Sequence, residues 1–298
     1  MHLAKYVCTF LTLQKALNST GTIMKGPKAR PTDNRPWRSD PDGSIGVTHG
    51  GTVNSKVYTH EFIDIIGSNR ANYMHHMTAN WCPMARDDRG QRCFGVWGVV
   101  GTTSHWPRVV NMWEEDGLDG LATALAHELG RPSLQDPKLE AWWNEAANFR
   151  SGGYDRVLIP APWTRTIEEL CADGVSGVAY AHDTIRVTPG EADTFLSKVR
   201  DIAVGAHEPF GWELVGALKT SMRRDDECIV IWAVPEWQQW SEVEKARDSD
   251  PSLRLWRDLL WAAEDYERFL MCDAPLAPLK IGRQPERSDR TIEWNEPQ

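Results

Sequence analysis

This 298-residue chain contains the same series of motifs twice, in the same order. Each copy opens on a Tyr-x-His element and later carries an Asp-Pro pair, at Tyr58–His60 with Asp136–Pro137 and at Tyr180–His182 with Asp250–Pro251. The offset between the copies is 182 − 60 = 122 at the histidine and 251 − 137 = 114 at the proline. Loop insertions and deletions produce such a drift. A unit of about 100 residues that is present only twice indicates a duplicated domain and not a solenoid.

Three further pairs of segments follow in the same order in both copies. They are Phe94-Gly95 with Phe210-Gly211, Val109–Trp113 with Cys228–Trp232, and Tyr154–Arg156 with Tyr266–Arg268. Between them, the alternation of apolar and polar residues predicts a strand, a helix, two strands, helices and a last strand. This βαββαβ layout is that of a ferredoxin-like module, an α+β fold with helices on one face of an antiparallel sheet.

The predicted domain organisation follows from this pattern. We expect an irregular N-terminal arm at 1–56, one module at 57–165, a second at 178–281 and a C-terminal tail at 282–298. A sheet covered on one face only leaves the other face exposed, and two such sheets can bury it by closing into a barrel. The interior would then be lined by both copies, and we expect a binding site there.

Composition excludes several classes of function. The net charge of −9, with no long run of Lys or Arg, argues against nucleic acid and anionic membranes as partners. No stretch of 18 apolar residues predicts a membrane span. Six cysteines without a CxxC pair favour reduced thiols in a cytoplasmic protein. The sequence contains no HExxH, Cys-His cluster, calcium loop or phosphate loop, so we expect no metal site.

The second copy resembles the NIPSNAP domain of the dimeric α+β barrel superfamily. The motifs that carry this resemblance are Leu214-Val215-Gly216-x3-Thr220, Ile229–Trp232 and Arg247-x2-Asp250-Pro251-x4-Trp256. It extends over about 57–280, with a more divergent first copy. The resemblance implies one barrel built from two ferredoxin-like domains, here within one chain, and leaves a homo-oligomer open. It implies no single activity, because such barrels include lyases, isomerases, cofactor-free oxygenases, haem enzymes and members without activity.

The paired Tyr-x-His elements are the candidate catalytic residues. Alternation along each strand predicts that Tyr58 and His60 point into the barrel from one half, and Tyr180 and His182 from the other. Histidine exchanges protons near neutral pH, so a substrate between the two rings could lose a proton to one and gain one from a tyrosine. We therefore predict a cofactor-free lyase or isomerase acting on a small apolar or aromatic molecule. The alternative is that each histidine is a structural residue with satisfied hydrogen bonds.

Six further side chains are candidates for substrate contact. Asp64 and Arg186 share the predicted inner faces of the histidine strands, and the other candidates for substrate contact are Asn111, Trp113, Trp212 and Trp232, of which Trp212 could lie on either face of its strand. The chain has 15 tryptophans, which fill a core or line a cavity for an aromatic ligand.

Two other functions stay open at this point. A haem-dependent barrel enzyme, a dehydratase or oxygenase, needs only an axial ligand and an apolar cavity, which no short motif announces. A binding or scaffold protein without chemistry is the third possibility, and a barrel interior packed solid with tryptophan would favour it, because no room for a substrate would remain.

Overall fold

A computed structural model describes residues 53–133 and 136–290 of the chain. The predicted arm at 1–56 lies outside this part except for its last four residues, and the predicted tail lies within it up to Arg290. Among the described residues no helix is long and apolar enough to cross a membrane.

Eight antiparallel strands of this region form a closed barrel. In chain order they are β1 (Val57–Ile65), β2 (Arg92–Val99), β3 (Arg108–Glu115), β4 (Arg150–Pro160), β5 (Ala179–Arg186), β6 (Glu213–Thr220), β7 (Glu227–Val234) and β8 (Asp265–Asp273). Around the barrel they follow the order β1-β3-β2-β8-β5-β7-β6-β4.

Helices lie between these strands. They are α1 (Arg70–His76), α2 (Cys82–Arg89), α3 (Gly117–Leu129), α4 (Pro137–Ala146), α5 (Ile167–Ala172), α6 (Ala192–Lys198), α7 (Val204–His207), α8 (Trp237–Ala246), α9 (Pro251–Trp261) and α10 (Pro278–Ile281). The first helical segment of each half passes through a π-helical turn, Met77–Trp81 between α1 and α2 and Val199–Ala203 between α6 and α7. A π-turn at matching positions in both halves fits a duplicated unit.

The barrel consists of two ferredoxin-like modules in one chain, as the sequence predicts. The strands of each module have the same spatial order, β4-β1-β3-β2 in module one and β8-β5-β7-β6 in module two. The modules join where β2 pairs with β8 and where β4 pairs with β6. Each junction has three residue pairs, whereas β1 and β3 within a module have eight. The seams are thus the shortest ladders of the barrel.

The Asp-Pro motifs begin the same helix in both modules. Asp136 accepts hydrogen bonds from the backbone N–H groups of the second and third residues of α4, and Asp250 does the same for α9. Proline follows at the first helical position, where its missing N–H costs nothing. Trp142 and Trp256 are each buried on the sheet-facing side of these helices. The motif fixes the point at which each helix starts and the tryptophan that packs under it.

The apolar side chains form one core inside the barrel and one under the helices of each module. The inner core contains Trp97, which is fully buried and lies against Tyr180 at 5.8 Å between ring centroids. Gly95 allows this arrangement, because a Cβ there would lie 2.0 Å from the Trp97 ring.

The structure corrects two of the sequence alignments between the copies. Gly95 pairs with Met112 beside a register shift in β2, and its structural counterpart beside the shift in β6 is Gly216. Gly211 lies instead in the turn before β6, so pairing Phe94-Gly95 with Phe210-Gly211 is wrong. The offset 216 − 95 = 121 agrees with the offset of the histidines.

The second correction concerns the last strand of each module. His60 pairs with Arg156 on β4, but His182 pairs with Phe269 on β8, one residue beyond Arg268. A one-residue slip in register turns a side chain to the opposite face of the sheet. Arg156 therefore points into the barrel, whereas Arg268 points outward beneath the helices of module two.

Candidate functional site

The two predicted histidines meet at the centre of the barrel. His60 on β1 and His182 on β5 are fully buried, and their Nε2 atoms lie 2.9 Å apart in a hydrogen bond that links the two modules. Burial lowers the pKa of His60 well below its usual value and that of His182 to about 3, and the nearby Arg156 lowers both further. Both rings are therefore neutral at pH 7. The predicted inward orientation is confirmed.

Aromatic rings pack against both members of this pair. Phe62 lies 5.0 Å from His60, and Phe269 stacks on His182 at 4.6 Å between centroids. Because the two imidazoles bond to each other, the expectation of a substrate held between them is wrong. An acid-base role for the pair stays a prediction.

The two tyrosines are bonded to carboxylates, one buried and one half-buried, and not to the histidines. Tyr58 donates to Glu114 and accepts from Asn54, and Tyr180 donates to Asp273 at 2.7 Å. Burial raises the pKa of both phenols and raises that of Asp273 to about 7. The tyrosines point inward as predicted, but their hydroxyls already have partners and are not beside the imidazoles.

Four of the six predicted contact residues lie outside the barrel. Asn111 donates to Glu61 and to Tyr73 on the outer face of module one. The three tryptophans pack into the cores beneath the helices, Trp113 in module one and Trp212 and Trp232 in module two. Trp212 lies one residue before β6. Asn111, Trp113 and Trp232 have strand positions of opposite parity to His60 and His182, so alternation turns them outward. Their placement inside the barrel is thus corrected.

The remaining two candidates lie at the barrel end. Asp64 pairs with Arg108 at 3.1 Å, and its side chain is 40% exposed. Arg186 is exposed at the last position of β5. Neither reaches the histidine pair.

The structure reveals a cavity that the sequence did not predict. It has a volume of about 350 Å³ and lies between α8, α9 and the outer face of β8 in module two. Its aromatic and aliphatic lining is Trp240, Val243, Leu253, Trp256, Leu260, Trp261, Phe269 and Leu270. Its polar lining is Thr103, His207, Glu244, Arg247, Arg257, Tyr266 and Arg268. This size and mixture are typical of a site for a small organic molecule.

His207 is the titratable ring of this cavity. It ends α7, just after the π-turn, and its Nδ1 donates to the Ala203 carbonyl at 2.8 Å. It stacks on Trp232 at 4.4 Å and is 1% exposed. Burial, reinforced by Arg268, lowers its pKa to about 4, so the ring is neutral. With Nδ1 as the donor, Nε2 carries a lone pair that can accept a proton or bind a ligand.

A buried ion pair forms the floor of the cavity. Asp183, fully buried, accepts from Arg268 Nε at 2.6 Å and Nη2 at 2.8 Å. Trp232 Nε1 at 3.2 Å and the Tyr266 hydroxyl at 3.3 Å donate to the same carboxylate. This bidentate geometry holds the Arg268 guanidinium in one orientation.

Sequence reasoning missed this group for two identifiable reasons. The sequence predicts that the helix ends near Gly205, which places His207 in a loop, and alignment on Tyr-x-Arg treats Arg268 as equivalent to Arg156. The alternation of strand residues could have revealed the group. Asp183 follows His182, so its side chain faces outward, and its partner of opposite charge is expected under the helices.

The matching space in module one is closed by aromatic rings. Trp142 lies 4.9 Å from Trp81 and stacks on His76 at 5.0 Å. Glu61 takes the place of Asp183, and burial raises its pKa to about 7, but Asn111 and Tyr73 fill the region above it. The duplication has therefore left a cavity in one module and a packed core in the other.

The donor set of the cavity agrees with a haem ligand, but its size does not. A neutral imidazole with Nδ1 bound to a carbonyl is the usual form of an axial histidine. The volume of about 350 Å³ is at the low end for even a drug-sized molecule, and a haem is larger. Among the described residues no three His, Cys, Asp or Glu side chains come together as they would around a metal ion.

Comparisons with known proteins find similarity of structure only. No protein-family model and no curated protein sequence matches the chain. A candidate monooxygenase from Lactobacillus acidophilus NCFM is 8% identical with a TM-score of 0.47, over 74% of this chain and 97% of that one. A mutant chlorite dismutase from Candidatus Nitrospira defluvii is 10% identical with a TM-score of 0.41, over 76% and 94%.

NIPSNAP proteins are also among the similar structures. An uncharacterized NIPSNAP domain protein from Burkholderia xenovorans is 17% identical with a TM-score of 0.27, over 31% of this chain and 90% of that one. At such identities and TM-scores the similarities carry no information on activity, and the fold assignment rests on the strand pairings.

Proposed function

We propose that this chain is an enzyme that binds a small, largely apolar molecule in the cavity of module two and transfers a proton there. The observation that carries the proposal is the combination of a 350 Å³ cavity, three tryptophans in its walls and the neutral His207 beside a fixed arginine. Cavities with convergent polar groups and shifted pKa values are favoured positions for catalysis.

The side chains that line the cavity favour a flat, apolar ligand. Trp240, Trp256 and Trp261 present large ring surfaces, and burial of an aromatic ligand against them is favourable by both area and ring stacking. Arg268 on the floor supplies a positive charge that the ligand meets at its inner end. The matching substrate is an aromatic or alicyclic molecule with a carbonyl or carboxylate group.

The proposed chemistry is that of a cofactor-free lyase or isomerase. His207 Nε2 would remove a proton next to the substrate carbonyl, and the Ala203 carbonyl would hold the resulting imidazolium through Nδ1. Arg268, kept in place by Asp183, would stabilise the oxyanion that forms. This assignment moves the acid-base role from the barrel interior to the cavity, while the reaction class predicted from the sequence is kept.

Binding is tested with 1-anilinonaphthalene-8-sulfonate, a fluorescent aromatic sulfonate, as the probe. Trp261→Ala should weaken probe binding about fivefold, the effect of removing one aromatic contact worth about 1 kcal/mol. Trp143→Ala is the matched control, because both tryptophans are partly exposed and stack under an arginine, at 4.3 Å from Arg257 and 3.9 Å from Arg150. Equal loss in both variants would refute the placement of the site.

Catalysis is tested on the substrate found by displacing that probe. His207→Gln should lower kcat about 100-fold or more with little effect on stability, the usual size of an acid-base contribution. His60→Gln and His182→Gln should keep most of the turnover, since those rings point into the barrel and are not among the residues that line the cavity. A loss confined to the last two variants would return the chemistry to the barrel interior.

A haem-dependent activity is the second candidate: the donor set of His207 favours it, although the cavity of about 350 Å³ is smaller than a haem requires. An absorption spectrum of freshly purified protein, with and without added haemin, decides between the haem-dependent and the cofactor-free activity. A Soret band that His207→Gln abolishes would support haem. No band, together with probe binding, supports the cofactor-free proposal.

A further inference from the structure

Arg156 is a charged side chain in the interior of the barrel. It lies on β4 opposite His60, its side chain is 3% exposed, and it packs over the Phe62 ring at 5.1 Å. Among the described residues it forms an ion pair between its Nη1 and Glu227 Oε1 of module two, at 2.7 Å. A buried charge in an apolar surrounding is costly unless its hydrogen bonds are satisfied.

Several donors in this interior have no acceptor among the described residues. The Nε and Nη2 atoms of Arg156 are buried and make no hydrogen bond to that part of the chain, and neither do the Nδ1 atoms of His60 and His182. In the neutral histidine pair one Nε2 donates and the other accepts, so the accepting ring carries its proton on Nδ1. The cluster therefore has an excess of N–H groups and only one free imidazole lone pair.

The cluster also has an excess of positive charge. The negative charge of Glu227 is not available to Arg156 only, because Arg223 Nη1 lies 3.9 Å from the same Oε1 atom. One carboxylate is shared between two guanidinium groups. Buried polar groups in native proteins nearly always have a partner, and the partner that would satisfy surplus donors with surplus positive charge is an anion.

The geometry points to a structural site for a small monovalent anion, such as chloride, inside the barrel beside Arg156 and the His60–His182 pair. Arg156 and His60 belong to module one, and His182 and Glu227 belong to module two. The bound anion would thus bridge the two halves of a barrel whose seams are only three residue pairs long. This site is separate from the cavity under α8 and α9.

Thermal unfolding in chloride tests the proposal. The unfolding midpoint is measured while sodium chloride replaces sodium gluconate at constant ionic strength, so that screening does not change. We expect a rise of about 3 °C at about tenfold the dissociation constant, which continues with the logarithm of the chloride concentration, as for any ligand of the folded state. Arg156→Met should abolish the rise. Arg108→Met is the control, because it removes a charge over the same Phe62 ring but not a buried unpaired donor, and it should keep the rise.

Glu227→Gln keeps the proposal testable if Arg156→Met does not fold. Removing the carboxylate that competes for Arg156 should tighten chloride binding several-fold. Crystals soaked in bromide should show an anomalous peak beside Arg156. A midpoint indifferent to chloride in the wild type, weaker binding in Glu227→Gln, or bromide only at the surface would overturn the proposal in favour of water as the partner.

Discussion

Replacing Asp183 by asparagine should be among the most destabilising isosteric changes in module two. The carboxylate is fully buried and accepts four hydrogen bonds, two of them from Arg268. The substitution keeps the volume but leaves the Arg268 charge without a counter-charge. Breaking a buried pair costs about 3–5 kcal/mol, and we expect about 3 because the Arg268 side chain is 18% exposed. For a body of this size that lowers the unfolding midpoint by about 6–12 °C.

Urea denaturation at pH 7 measures this cost, provided that the slope m is unchanged. Asp64→Asn is the matched control, because the Asp64–Arg108 pair is partly exposed and should cost less than about 1 kcal/mol. The double variant Asp183→Asn with Arg268→Met should recover about 2 kcal/mol over the single one, since no unpaired charge remains buried. A loss below 1 kcal/mol for Asp183→Asn, or a double variant less stable than the single one, would refute the reasoning.

Three other predictions concern stability and pH. Gly95→Ala should cost at least about 2 kcal/mol in urea denaturation, because its Cβ would overlap the buried Trp97 ring, whereas Gly205→Ala, with open space around it, should be neutral or stabilising by up to about 1 kcal/mol. Because the folded pKa of His182 is about 3, below the ordinary 6.5, only the unfolded state binds its proton between these values, and stability should fall as pH drops below 6.5. The slope from this residue is about 1.4 kcal/mol per pH unit, so His182→Gln should remove about 2 kcal/mol of the loss between pH 6.5 and 5, and an unchanged slope would contradict the neutral buried pair. On the identified substrate, kcat/KM should be flat from neutral pH to about pH 5 and fall below it as His207, with a pKa of about 4, takes up a proton; a fall centred near pH 6.5 would exclude His207 as the base.

Much of the fold follows from the sequence because its signals are local and repeated. The Asp-Pro pairs cap helices, the apolar alternation of β1 and β5 turns His60 and His182 inward, and two copies of a one-faced sheet favour a closed barrel. These features depend on a few neighbouring residues, so they survive errors of one or two positions at the ends of elements.

The site did not follow, because it depends on registers between strands that are distant in the chain. Asn111, Trp113 and Trp232 lie outside the barrel because their parity is opposite to that of the histidines, and Trp212 lies just before β6 in the core under the helices. Whether a cavity remains also depends on how side chains pack. Aromatic rings close the space in module one, the corresponding space in module two stays open, and no sequence motif predicts this difference.

By itself the sequence determined that the chain is a duplicated βαββαβ unit and that the two histidines face a shared interior. Only the tertiary structure decided that those histidines bond to each other, that Arg156 joins them while Arg268 turns outward to Asp183, and that the cavity lies under α8 and α9. The physical reason is that alternation along one strand is set by its own residues, whereas pairing between strands is set by the whole barrel, and a slip of one residue reverses the face.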